Sequence, residues 1–75
     1  MTPANIAARL GKAIRVRRRR LGLSQEAFAA RIEMHAAYYA KIERGEKNVT
    51  MITLQRIAAG LRVRMADLMQ DAEPK

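Results

Sequence analysis

The sequence has no cysteine and no tryptophan, one histidine (His35), one phenylalanine and two tyrosines. Without cysteine there is no disulfide framework and no thiolate metal site. A lone histidine leaves zinc clusters and histidine-based catalytic triads without partners. Long uncharged apolar runs are also missing, so no segment spans a bilayer. The opening Met-Thr-Pro-Ala-Asn lacks the charge pattern of a secretory leader. These absences predict a small soluble cytoplasmic domain that is not an enzyme and needs no metal, cofactor or small-molecule ligand. At 75 residues there is room for a single domain over 1–75, whose folded form buries only about 60% of the surface its unfolded chain exposes. The hydrophobic fraction, 49%, is high enough to build a core.

Acid is scarce where base is dense. Fifteen Lys and Arg against seven Asp and Glu leave a net charge of +8. Residues 1–25 hold Arg9, Lys12, Arg15, Arg17, Arg18, Arg19 and Arg20 and no acid. Arginine outnumbers lysine eleven to four, which suits bidentate contacts with phosphate. Such an excess repels itself in so small a body unless an anionic partner belongs to its working state. A solvated helical face is the plainer reading. Composition alone does not separate DNA from RNA or an anionic membrane.

Turn and cap residues recur at short intervals. Thr2-Pro3 suits a helix start, and Ile6, Leu10, Ala13, Ile14 and Leu21 follow at helical spacing until Gly22. Ser24 caps a second helix carrying Ala27, Phe28, Ala29 and Ile32. A third runs from Ala36 to Arg44, with Tyr39 and Ile42 inward, and stops at Gly45. After the polar Glu46-Lys47-Asn48, Thr50 caps a fourth with Met51, Leu54, Ile57, Ala58 and Leu61. A short fifth spans Met65 to about Met69, and 71–75 reads as a frayed tail. No segment alternates like a strand. The expected fold is all-α, a compact five-helix domain.

Residues 25–44 carry the functional signal. Two helices meeting steeply through a short turn need a small residue where their backbones approach, and Ala29 supplies it. Phe28, Ile32, Met34, Tyr39 and Ile42 sit where they would pin both helices to a shared core, freeing the second for a DNA major groove. With Leu10-Gly11-Lys12-Ala13-Ile14-Arg15, Gly22-Leu23-Ser24-Gln25-Glu26, Ile42-Glu43-Arg44-Gly45 and Leu54-Gln55-Arg56-Ile57-Ala58, the chain resembles the Cro and phage-repressor helix-turn-helix family over residues 6–69. Within it, Tyr38, Ile42-Glu43-Arg44-Gly45 and Asn48-Val49-Thr50 are similar to the controller proteins of restriction–modification systems.

The resemblance implies a repressor-like DNA-binding domain that acts as a homodimer on a near-palindromic duplex operator in a bacterial cytoplasm, on the nucleoid when bound. It implies base-facing positions at Ala36, Ala37, Tyr38 and Lys41. Phosphate contacts would come from Ser24, Gln25, His35, Arg44, Lys47 and Asn48. Arg18 and Glu43 would form a partly buried ion pair, with Arg15, Arg17, Arg19 and Arg20 mostly facing solvent. Met65, Leu68 and Met69 are the expected dimer surface, or else core. Tyr38 could equally be a half-buried packing ring, and the 44–48 loop merely solvated. An antitoxin-type module of the same fold, clamping a partner protein, is the alternative function.

Three positions depart from the family pattern. Glu33 stands where a turn glycine is usual, which implies a strained positive φ. His35 replaces a better helix cap, although a protonated ring would favour a nearby phosphate. Ala36-Ala37 stand where controllers present a long polar residue and Thr. Two methyl groups reach thymine methyls but make no bidentate bond to a base. Either recognition rests on DNA shape and phosphates, or readout has been disabled.

Overall fold

A computed structural model describes residues 3–73. Five helices follow one another: α1 (Pro3–Arg20), α2 (Gln25–Arg31), α3 (Ala36–Glu43), α4 (Met51–Leu61) and α5 (Met65–Ala72). Thr2, expected to cap α1, lies outside the described residues. No strand occurs among those described, and no helix among them is long and apolar enough to cross a membrane.

The helices begin and end where local chemistry demands. Ser24 Oγ accepts from the Ala27 N–H at 3.0 Å, and Thr50 Oγ1 from the Thr53 N–H at 3.1 Å, each satisfying an otherwise orphaned donor. His35 stands at the α3 cap and makes no such bond. At the start of α5 the Asp67 carboxylate accepts from the Arg64 N–H at 2.9 Å, one half of a capping box.

Three helices close with the same double bond. Met34 and Glu33 donate to Ala29 and Ala30 after α2, Glu46 and Gly45 to Lys41 and Ile42 after α3, and Val63 and Arg62 to Ala58 and Ala59 after α4. This closure needs a left-handed residue. Gly45 fills it at φ 76°, but Glu33 (φ 56°) and Arg62 (φ 62°) adopt it without being glycine, each at a cost of roughly 1–2 kcal/mol.

α1 lies along the molecule and packs against α3, α4 and α5. Its inward stripe is Leu10, Ile14 and, one turn on, Arg18. Gly11 lets α1 touch the end of α3, where a Cβ would strike the Ile42 and Glu43 carbonyl oxygens. Phe28, Tyr39, Ile42, Ile57 and Leu68 fill the centre, with the Phe28 and Tyr39 rings tilted at 52° and 5.2 Å apart.

Several expectations are corrected. Ile6, Leu21 and Met51, placed on apolar faces by their spacing, are exposed. Residues 71 and 72 are not a frayed tail: α5 continues to Ala72, which is buried. Arg9 fastens that end, its Nε donating to the Ala72 carbonyl at 2.8 Å and Nη2 to Glu73 at 3.1 Å. Arg17 is not free in solvent but pairs with Asp71 at 2.8 Å. Leu68, expected at a dimer surface, is 0% exposed. It packs inside one chain, where no partner can reach it.

Candidate nucleic-acid interface

The interface is built outward from a buried carboxylate. Arg18 reaches Glu43 in fork geometry, Nε to Oε2 at 2.6 Å and Nη2 to Oε1 at 3.1 Å. Its Nη1 donates to the Leu23 carbonyl at 2.7 Å. Gln25 Nε2 donates to Oε1 at 2.9 Å, and the Tyr39 hydroxyl donates to Oε2. Glu43 thus joins α1, α2 and α3 through three donors. Burial alone would push its carboxyl up, yet the hydrogen bonds from Arg18, Tyr39 and Gln25 together hold it below the ordinary carboxylate range. Tyr39 moves the other way: desolvation, then its bond to Glu43, raises its hydroxyl far above the usual value. No buried side-chain nitrogen or oxygen among the described residues lacks a partner.

With Tyr39, Ile42 and Glu43 turned inward, the opposite side of α3 faces water. Ala37, Tyr38, Lys41 and Arg44 are exposed there, at spacings that put 37, 41 and 44 on one stripe. Tyr38 is 37% exposed, and the Lys47 ammonium lies 6.0 Å from its ring centroid, within cation–π reach. Ala36 differs from its neighbours, being half-buried against the core. Arg44 is held by Glu46 at 2.7 Å in a fully solvated pair, so a phosphate would compete with a carboxylate for it. Asn48 and His35 are exposed; Ser24 is exposed too, with its hydroxyl oxygen engaged by the cap.

Gln25, expected to face phosphate, also has a task inside, one amide N–H donating to Glu43. That leaves its second amide N–H and the helix-end N–H groups for a phosphate at this position. Tyr39 and Gln25 are partners of Glu43 that the sequence alone does not single out. The four-residue spacing of Tyr39 and Glu43 on one helix face was the available signal. Among the described residues no three His, Cys, Asp or Glu side chains converge as a metal site.

This geometry has known counterparts. The family model described as Helix-turn-helix matches residues 14–68. Control protein C.MunI of a Mycoplasma species is 39% identical over 70 residues, covering 92% of this chain and 95% of that protein. Control protein C.BamHI of Bacillus amyloliquefaciens is 33% identical over 66 residues, covering 87% and 82%. The restriction-modification controller protein C.AhdI from Aeromonas hydrophila superposes with a TM-score of 0.80 at 29% identity, over 83% of this chain and 94% of that one. The chain belongs to the helix-turn-helix family of DNA-binding transcriptional regulators.

Proposed function

We propose that this chain regulates transcription as a restriction–modification controller, binding a near-palindromic duplex operator as a homodimer. The observation that carries the reading is the outward stripe of α3, Ala37, Lys41 and Arg44 with Tyr38 beside it, on a chain of net charge +8. Its likeness over nearly full length to control proteins supports the narrower assignment. In this reading α3 enters the major groove, where Lys41 reaches guanine O6 and N7 and Tyr38 a thymine methyl or a phosphate. Arg44, Lys47 and Asn48 hold the backbone beside it, and the α2 end meets the neighbouring phosphate. Small residues at 36 and 37 shift the balance from direct base contacts toward shape and charge.

Selection of bound duplexes from a randomised library at near-physiological salt tests this. Enrichment of two inverted half-sites one helical turn apart is expected. Binding without enrichment removes the operator-reading role, and absence of binding removes the function.

A further inference from the structure

We infer that the outward arc of α1, centred on Lys12 and Arg19, holds a second segment of duplex DNA while α3 holds the first. The role rests on the operator reading above and makes the protein a bridge between two segments. α1 carries no acid in its eighteen residues. Lys12, Arg19 and Arg20 are exposed and Arg15 is half-buried, and none of the four pairs with a carboxylate among the described residues. The α3 side holds fewer free cations, since Glu46 engages Arg44 and leaves Lys41 and Lys47. The densest unengaged charge therefore lies away from the recognition stripe.

Geometry and chemistry favour a duplex as the occupant. From Lys12 to Arg20 the helix rises about 12 Å. Four positive charges over that length meet a polymer with one negative charge per about 1.7 Å of axis. A groove of about 500 Å³ runs beside the arc, lined by Lys12 and Arg20 with Ala8, Ala13 and Val16. Its small side chains let a sugar–phosphate strand approach the helix. Asp71 also lines it, neutralised by Arg17 at 2.8 Å. α1 offers no aromatic ring on which unpaired bases could stack. Its exposed apolar residues, Ile6, Val16 and Leu21, are ten and five positions apart and do not form the continuous stripe that a lipid surface needs.

The arc stays available while α3 is occupied. Ile14 of α1 and Tyr39 and Ile42 of α3 turn toward one core, so the outward faces of the two helices diverge. Met65 is half-buried against that core. Met69, 39% exposed, lies two residues and hence about 200° around α5 from Asp71, which keeps any pairing of copies through Met69 off the α1 groove.

Capture of a labelled random-sequence duplex by protein loaded on an immobilised, selected operator tests the inference at near-physiological salt. A near-palindromic operator engages α3 of both copies in a dimer, so capture reads another surface. Lys12→Gln, Arg19→Gln and Arg20→Gln together should weaken capture about 100-fold, the counterion share of three phosphate contacts. Operator affinity should change by no more than about 3-fold. A charge-matched triple, Arg31→Gln, Arg56→Gln and Arg62→Gln, should retain capture. Thermal melts should show both triples folded, because all six side chains are exposed. Equal loss of capture in both triples makes the α1 cations diffuse charge and overturns the inference. A parallel loss of operator affinity from the α1 triple places them on the first duplex and overturns it too. So does poly-glutamate bound by α1 in preference to duplex at equal charge, which assigns the groove to an acidic protein. Operator binding without any capture overturns the bridge and leaves the proposed function standing. If the chain does not bind the operator, the proposed function falls, and this inference with it.

Discussion

Glu43 is buried, charged and shared by three donors, which makes it the residue where small changes have the largest effect. Glu43→Gln leaves the Arg18 guanidinium without its counter-charge inside the protein. The expected loss is about 3–5 kcal/mol, most of the stability available to so small a domain. Urea titration followed by far-ultraviolet circular dichroism measures it. Replacing the group together (Arg18→Met, Tyr39→Phe, Glu43→Leu) should recover most of the loss, because no buried charge is then stranded and the part-buried Leu23 carbonyl and Gln25 amide can turn to water. The same site predicts acid sensitivity. A carboxyl lowered in the folded state stabilises fully above its unfolded value, near 4.3, and that contribution disappears as pH falls through the folded value. Urea midpoints should therefore hold from pH 7 to about 5 and decline below about 4. Glu33 is the opposite case, a residue whose side chain works against its backbone. Glu33→Gly should raise stability by about 1 kcal/mol and the melting temperature by about 4–8 °C.

The elements differ in how plainly the sequence announces them. Caps at Ser24 and Thr50 were legible because a hydroxyl beside a helix start acts on neighbours two or three residues away. Turns at Glu33 and Arg62 resist such reading, since their left-handed backbone is imposed by the packing of the helices they join. The Arg18–Glu43 pair came through family likeness; its further partners follow from the fold. The true end of α5 is hidden in the sequence because Asp71 looks like a surface residue until Arg17 stands beside it, and Ala72 carries too little apolar surface to mark a core position. Deleting residues 71–75 should accordingly destabilise the domain by about 2 kcal/mol through lost packing and the lost Arg9 and Arg17 contacts; a melting curve unchanged by the deletion would return this segment to the status of a tail. For α3, Lys41→Ala should weaken binding to a selected operator far more than to random duplex, measured by competitive titration. Equal losses would make Lys41 a phosphate contact.

For the whole molecule, distribution of charge matters more than its sum. Arg9, Arg17 and Arg18 bind the protein to itself, so the anion-facing charge is smaller than composition suggests. If two copies each contribute Arg44 and Lys47 to phosphates, with Lys41 on a base edge, affinity should fall with salt at a log–log slope of about −4. Lys47→Ala should reduce that slope by about 2, as read from binding isotherms at several salt concentrations. A flat profile would detach DNA binding from this surface. The chain's length, helices and charge asymmetry were open to reading from the start; which arginines were already engaged was not, because identical side chains differ only in what the fold brings to them.

The fastening of Arg9 to the end of α5 bears on synthesis. These groups are 63 and 64 positions apart, and α1 packs against three helices made after it. Emerging from a ribosome, α1 has no complete partner surface until α5 has been translated. α3 packs on α1 and α2, and α1 is completed by α5; on the function proposed above, shortened products that keep α3 but lack α5 should therefore compete poorly for an operator.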